Sequence, residues 1–329
     1  MTYKVVYQLI MKHLIVLFSL ISITAFSQNF DKVDAIVLEY PRFSKVENFA
    51  KRIETDFTKD IDKARAAFFW LAKNIRYNLR ILYNPKKRSY FFKYSSEEEK
   101  QQKMQALIDN LVNKAFRNKT GVCEEYAQSF KKICDLLQIE AAVIKGYVRN
   151  NSKEIGIIPN SSNHAWNAVK IDGKWLLLDA TWAAGYEYNG KWIRKFNNFY
   201  FDVSASKIFK THFPEESIWV LRFGRINIQE FFNQPIYSST YLRLKAELIS
   251  PQTGIINLNS SENIKIKFKN LDHKLLVFYT IKGERLAKKP KITRENDITT
   301  LTIKNPNRNT DLVVYINKKD ALHFKVSVR

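Results

Sequence analysis

The stretch from His164 to Trp182 restricts this chain more than any other. Two apolar runs, 165–171 and 175–178, flank Asp172-Gly173. Asp-Gly between apolar runs predicts a two-residue type I′ hairpin, since both loop residues must take positive φ. With Asp172 and Gly173 as the loop, Ile171 faces Lys174, and counting outward Trp166 faces Asp179. Residues two apart on a strand share a face, so His164 and Asp179 become diagonal neighbours on one face. Diagonal backbones lie about 7–8 Å apart, within reach of two side chains leaning together. Register alone therefore predicts an imidazole beside a carboxylate, an arrangement that fixes the ring's tautomer and favours its cation.

A thiol completes a set of reacting groups. Thr120-Gly121 breaks the chain, and Tyr126, Phe130, Ile133 and Leu137 follow at helical spacing. Cys123 then lies in the first turn of a helix, where the end of the macrodipole favours a thiolate. Cys134 falls on the same helix, about 16 Å further along. A disulfide needs Cα atoms within about 7 Å, so the pair cannot bridge. Cys134 reads as a small buried hydrophobe. The two cysteines form no CxxC pair, and no Cys/His cluster with metal-ligand spacing is visible. We expect neither a metal nor a cofactor.

Upstream, 28–58 reads as a lead-in with little pattern. Ile61, Ala64, Phe68, Leu71 and Ile75 predict a helix from Asp60 to Tyr77. A loop rich in Tyr, Lys and Arg covers 80–94. Ser95-Ser96 ahead of Glu98-Glu99 then predicts a capped helix to about Phe116, with Met104, Leu107, Ile108 and Leu111 on one face. His212, alone in an aromatic stretch, reads as a structural histidine. Past Pro235 the pattern alternates: Ile264, Ile266 and Phe268 stand between Lys265, Lys267 and Lys269. About seven short strands there predict an antiparallel β-sandwich over 236–329. His273 and His323 within it read as ordinary surface or strand residues.

The first residues predict a signal. Lys12 and His13 precede an apolar run from Leu14 to Phe26, and Ala25 and Ser27 sit where a signal peptidase reads. We expect 1–27 to be removed, with Met11 a candidate true start. The protein is then secreted or periplasmic, with no membrane span after cleavage. The chain carries a formal net charge of +22, which suits an anionic cell-surface polymer as a partner. The basic residues form no sustained run, and no nucleic-acid partner is expected.

Three blocks in order resemble the transglutaminase-like superfamily. Gly121-Val122-Cys123-Glu124-Glu125-Tyr126-Ala127 is similar to its nucleophile block. His164-Ala165-Trp166-Asn167 is similar to its histidine block, and Leu178-Asp179-Ala180-Thr181-Trp182 to its aspartate block. The helix containing Arg65-Ala66-Ala67-Phe68-Phe69-Trp70 resembles the family's leading helix. Tyr200-Phe201 and His212-Phe213-Pro214 with Trp219 resemble the kyphoscoliosis-peptidase-like branch.

The resemblance implies an α+β fold with a papain-like cysteine-protease core over 28–235, followed by an immunoglobulin-like β-sandwich over 236–329. It implies Cys123 as nucleophile, His164 as general base and acid, and Asp179 as orienting carboxylate. Three functions remain open. The leading one is a cysteine peptidase or amidase that works on a protein or peptide through a thioester acyl-enzyme. The second is a protein-glutamine acyltransferase, in which an amine replaces water. The third is a binding module that keeps the fold without catalysis.

Overall fold

The computed structural model describes residues 29–84, 93–223 and 226–329. The expected signal, 1–27, and most of the expected loop over 80–94 lie outside these residues. Among the described residues no helix is long and apolar enough to cross a membrane.

The N-terminal part is built from helices α1 (Asp31–Leu38), α2 (Val46–Asp56), α3 (Asp60–Asn74), α4 (Glu97–Asn118) and α5 (Cys123–Leu136), and a one-turn helix α6 (Ala180–Ala184). They pack around a sheet of β1 (Ala141–Val148), β2 (His164–Ile171), β3 (Lys174–Leu178) and β4 (His212–Pro214). The strand order is β3-β2-β1-β4, all antiparallel.

The supposed lead-in is in fact α1 and α2. In α2, Val46, Phe49, Ala50 and Ile53 are buried, the 3.6-residue period of an amphipathic helix. Helix α1 is held by charge: the Arg65 guanidinium, 1% exposed, donates to both carboxylate oxygens of Asp34 at 2.7 and 2.5 Å. A third donor reaches Asn198 Oδ1 at 2.5 Å. Helix α3 is buried on every side from Ala64 to Ala72, rather than along one stripe. Its alanines let neighbours approach closely, and Phe68, Trp70 and Leu71 fill the centre of the core.

Helix α4 begins as its Ser/Glu signature requires, with Ser96 Oγ accepting from the Glu99 amide at 3.2 Å. Only Val112, Ala115 and Phe116 of this helix are buried, whereas Met104 is exposed. The expected apolar face is thus mostly on the half that stands away from the core.

Beyond Pro235 two sheets enclose a second core. The elements are β5 (Ile236–Tyr237), β6 (Glu247–Ser250), β7 (Ile255–Leu258), β8 (Ile264–Lys269), β9 (Val277–Ile281), β10 (Lys291–Glu295), β11 (Ile298–Ile303), β12 (Thr310–Ile316) and β13 (Lys319–Val328). One sheet runs β6-β8-β11-β10; the other runs β7-β13-β12-β9, with β5 beside β13. Strand β8 turns Ile264, Ile266 and Phe268 inward and its lysines outward, as the alternation dictates.

Two details differ from a purely antiparallel sandwich. The β7–β13 pair is parallel, and Ser239–Leu242 form a helical turn ahead of β6. Buried Arg149 fixes the segment that leads into the second part by donating to the carbonyls of Gln234 at 2.6 Å and of Phe232 and Pro235 at 3.3 Å.

Candidate active site

The hairpin forms in the register the sequence requires. Ile171 pairs with Lys174 and Asn167 with Leu178, and Asp172 and Gly173 take φ of 49° and 77°. The ladder stops there, and Asp179 becomes the N-cap of α6. Its Oδ1 accepts from the amides of Thr181 at 2.7 Å and Trp182 at 3.0 Å. Its Oδ2 lies 2.7 Å from His164 Nε2. The diagonal contact between imidazole and carboxylate is therefore made across strand and helix cap.

Cys123 is the first residue of α5 and is half-buried. Its thiol interacts with the His164 ring and contributes to that ring's raised basicity. Since Nε2 is committed to Asp179, Nδ1 is the nitrogen left to face sulfur. Contacts to the histidine strand and to α3 hold the helix start in place. Asn167 Nδ2 on β2 donates to the carbonyls of Ala127 on α5 at 3.0 Å and Ala142 on β1 at 3.1 Å. Tyr126 Oη donates to the Ile75 carbonyl at 2.5 Å, anchoring α5 to the end of α3.

The two acids after the nucleophile position are occupied with other work. Glu125 Oε2 turns back to accept from the Val122 amide at 2.9 Å, satisfying one donor at the helix start. Glu124 Oε1 accepts from Gln128 at 2.9 Å. Gly121 is required here for space, because a Cβ would lie 2.6 Å from Glu125 Cβ. Cys134, with no exposed surface, lies near the far end of the helix, and burial pushes its thiol far up.

Burial, the largest single influence, lowers the basicity of His164, but the adjacent Asp179 charge together with hydrogen bonding to Asp179 and Cys123 outweighs it, and the net shift is upward. Burial would likewise raise Asp179, yet His164 and then His212 hold its carboxyl well below the usual range. The imidazole is thus biased toward its cation and the carboxyl toward its anion.

His212 is the residue whose partner the sequence did not show. It is a full member of this cluster: its Nε2 lies 3.0 Å from the same Asp179 Oδ2 that meets His164. Its place follows from the sheet. Val148 on β1 pairs with His212, and Gly146 pairs with both His164 and Pro214. Gly146 has no side chain, and a Cβ there would strike the Phe213 carbonyl oxygen at 2.2 Å and the Trp166 ring at 2.7 Å. Over this bare position the rings of His164, Trp166 and His212 gather, with His212 centroids 5.4 Å from His164 and 5.0 Å from Trp166. Only the fold brings these residues together, although Gly146 and the His212-Phe213-Pro214 run were both readable.

His164, Asp179 and His212 also form a group whose donor atoms all lie within 4.8 Å, close enough to be considered for a metal. No such cluster was expected. Separations of 2.7 and 3.0 Å are those of shared protons. Ligands about 2.1 Å from a tetrahedral zinc would stand further apart, so the group as it stands is a hydrogen-bonded one. His273 lies in the turn before β9 and His323 on β13, beside Asp272 and Asp320 respectively.

Residues 47–180 match the family model of the transglutaminase-like superfamily. The chain carries a transglutaminase-like domain. It is 23% identical over 253 residues to the human (Homo sapiens) kyphoscoliosis peptidase, covering 76% of this chain and 35% of that protein. It is 26% identical over 134 residues to Hillarin of Drosophila melanogaster, covering 36% of this chain and 16% of that one. The chain thus spans about a third or less of the length of these relatives. Among solved structures, a TGase crystal structure is similar at 16% identity and a TM-score of 0.30, covering 60% of this chain and 44% of that one. A putative cysteine protease from Cytophaga hutchinsonii is similar at 17% identity and a TM-score of 0.25, covering 48% and 45%.

Proposed function

We propose that the transglutaminase-like domain is a thiol hydrolase of the cysteine peptidase or amidase class, working through Cys123, His164 and Asp179. The observation that carries this reading is the shared geometry of one small site. A half-exposed thiol at a helix start meets an imidazole whose other nitrogen is held at 2.7 Å by a buried carboxylate. The name of the human relative, a peptidase, points the same way.

In the first half-reaction the Cys123 thiolate, whose proton is already held on the His164 imidazolium, bonds to the amide carbon. The Cys123 amide, in the first turn of α5 where a helix supplies no internal partner to its N–H groups, is suited to the oxyanion. The C–N bond then breaks, the leaving amine takes the proton from His164, and a thioester remains. Water, deprotonated by His164, attacks the thioester. The thiolate leaves while His164 keeps the proton taken from water, and a carboxylic acid is released. Asp179 keeps the ring in the productive tautomer and stabilises its cation throughout.

Protein or peptide amides are the substrate class of this reading. Its location remains outside the cytosol, supported by the apolar run after Lys12 and by a strongly basic chain suited to anionic cell-surface polymers. N-terminal sequencing of the protein recovered from its host's periplasm or medium tests export; an intact Met1 or Met11 there refutes cleavage. For the chemistry, a library of glutamine-containing peptides is incubated with the protein, with and without an amine acceptor. Peptide-bond cleavage, or ammonia release without amine incorporation, is expected. Amine incorporation that dominates in the presence of acceptor would replace hydrolysis with acyl transfer.

A further inference from the structure

Asp179 has four hydrogen-bond partners and no exposed surface. An ionised carboxylate is an acceptor only, with about four lone-pair sites. Here all four are filled: two by the amides of Thr181 and Trp182 on Oδ1, two by the ring nitrogens of His164 and His212 on Oδ2. Both histidines must therefore carry a proton on Nε2.

We propose that His212 is a positioning residue of this site, a neutral imidazole whose Nε2–H holds Asp179 Oδ2 in line with His164. The proposal deepens the thiol-hydrolase reading and rests on it for its catalytic meaning. Neutrality follows from the surroundings. His212 has no exposed surface and is packed by Trp182 at 4.6 Å, Trp166 at 5.0 Å and Tyr200 at 6.4 Å between centroids. One carboxylate cannot compensate two cations in so dry a place. Burial is also the main cause that lowers His212 below the ordinary histidine value, opposite in direction to His164.

A neutral ring protonated at Nε2 accepts at Nδ1. Thr211 Oγ1 lies 2.7 Å from that nitrogen and is the donor to it. The hydroxyl's other acceptor, the Ile208 carbonyl, is further away at 3.1 Å. A relay Thr211–His212–Asp179–His164 results, in which each proton has one assigned place. When His164 delivers its Nδ1 proton to a leaving group, its hold on Oδ2 weakens. His212 keeps that oxygen from turning, so the ring does not lose its orientation between the two half-reactions.

The other titratable groups facing this set are Cys123 on α5, Tyr77, Tyr126 on α5 and Tyr200. The three tyrosines are pushed up, chiefly by burial, and stay neutral over the range tested. They do not supply a competing titration.

The test reads imidazole nitrogen-15 shifts in the full chain. At pH 7 the wild type should show His212 protonated at Nε2 only and His164 at both nitrogens. A His212 signal protonated at Nδ1 alone, or at both nitrogens, overturns the proposal without any variant. His212→Phe removes the donor and should lower the His164 titration midpoint by about one pH unit. It should also slow iodoacetamide labelling of Cys123 at pH 6 about tenfold. His212→Gln supplies an amide N–H and should recover most of both losses. An unchanged His164 midpoint in folded His212→Phe contradicts the proposal. If His212→Phe fails to fold, Thr211→Val takes its place, and it should shift the His212 proton toward Nδ1. Cys123 that is inert in the wild type, while the His164 midpoint still follows His212, would sink the hydrolase reading and leave the positioning role standing.

Discussion

Helix α5 begins with one thiol and carries the other near its end, and the two meet opposite surroundings. Cys123 is half-exposed, faces an imidazole, and follows a glycine that lets Glu125 cap the helix. Cys134 is sealed in the core beneath α3, and desolvation disfavours its charged form. Nothing in the residue type separates them. Position on the helix does: the start abuts strand β2, while the end packs into apolar side chains. The same atom is thereby set up for chemistry at one end and for packing at the other.

The sharpest way to break this comparison is to exchange the losses. Cys123→Ala should abolish amide cleavage, since the described site has no second thiol to replace it, while Cys134→Ala should leave kcat/KM close to wild type. Activity that survived the first change and vanished with the second would invert the assignment. Next in size is Asp179→Asn. It retains a side chain able to cap α6 but presents the wrong proton pattern to two histidines. By analogy with triads whose carboxylate was neutralised, kcat should fall by roughly 10²–10⁴ with the fold preserved. A loss under about threefold would mean that His164 does not depend on Asp179 for its orientation.

The smallest effects are on stability. Cys134→Ala should cost about 1 kcal/mol in chemical denaturation, the price of a lost packing group rather than a lost function. The two histidines give opposite pH dependences. His164, whose folded pKa is raised, contributes stability that is complete below its unfolded value of about 6.5 and is lost as pH rises through the folded value. His212, whose folded pKa is lowered, makes the unfolded state bind more protons below about 6.5, so stability falls as pH drops there. Urea midpoints of wild type should therefore decline between about pH 6.5 and 5, and His212→Gln should flatten that decline. An identical acid slope in the two proteins would show that His212 is not held neutral.

What the sequence revealed depended on how local the cause was. The Asp172-Gly173 turn sets its own register, and that register carried His164 to Asp179 with no knowledge of the rest of the fold. The alternation in Ile264–Lys269 likewise announced which face is buried. Helix α2 carries its apolar period in Val46, Phe49, Ala50 and Ile53, but charged residues interrupt the run and blur it. Helix α1 was harder, since it depends on Arg65 of another helix for its anchor. His212 lay beyond local reasoning. Its partner is 33 residues away in sequence, and the two meet only because β4 pairs with β1 beside a glycine. A lone histidine in an apolar stretch carries no mark of that pairing.

The central claim is that Cys123 and His164 act as one chemical unit. It is tested most directly by iodoacetamide labelling at pH 6–7, with each cysteine quantified by mass spectrometry in wild type and in His164→Ala. Cys123 should label faster than free cysteine, Cys134 should remain unlabelled in the folded protein, and His164→Ala should slow Cys123 by about tenfold or more. Labelling of Cys123 at the rate of free cysteine, unchanged by His164→Ala, would contradict the account.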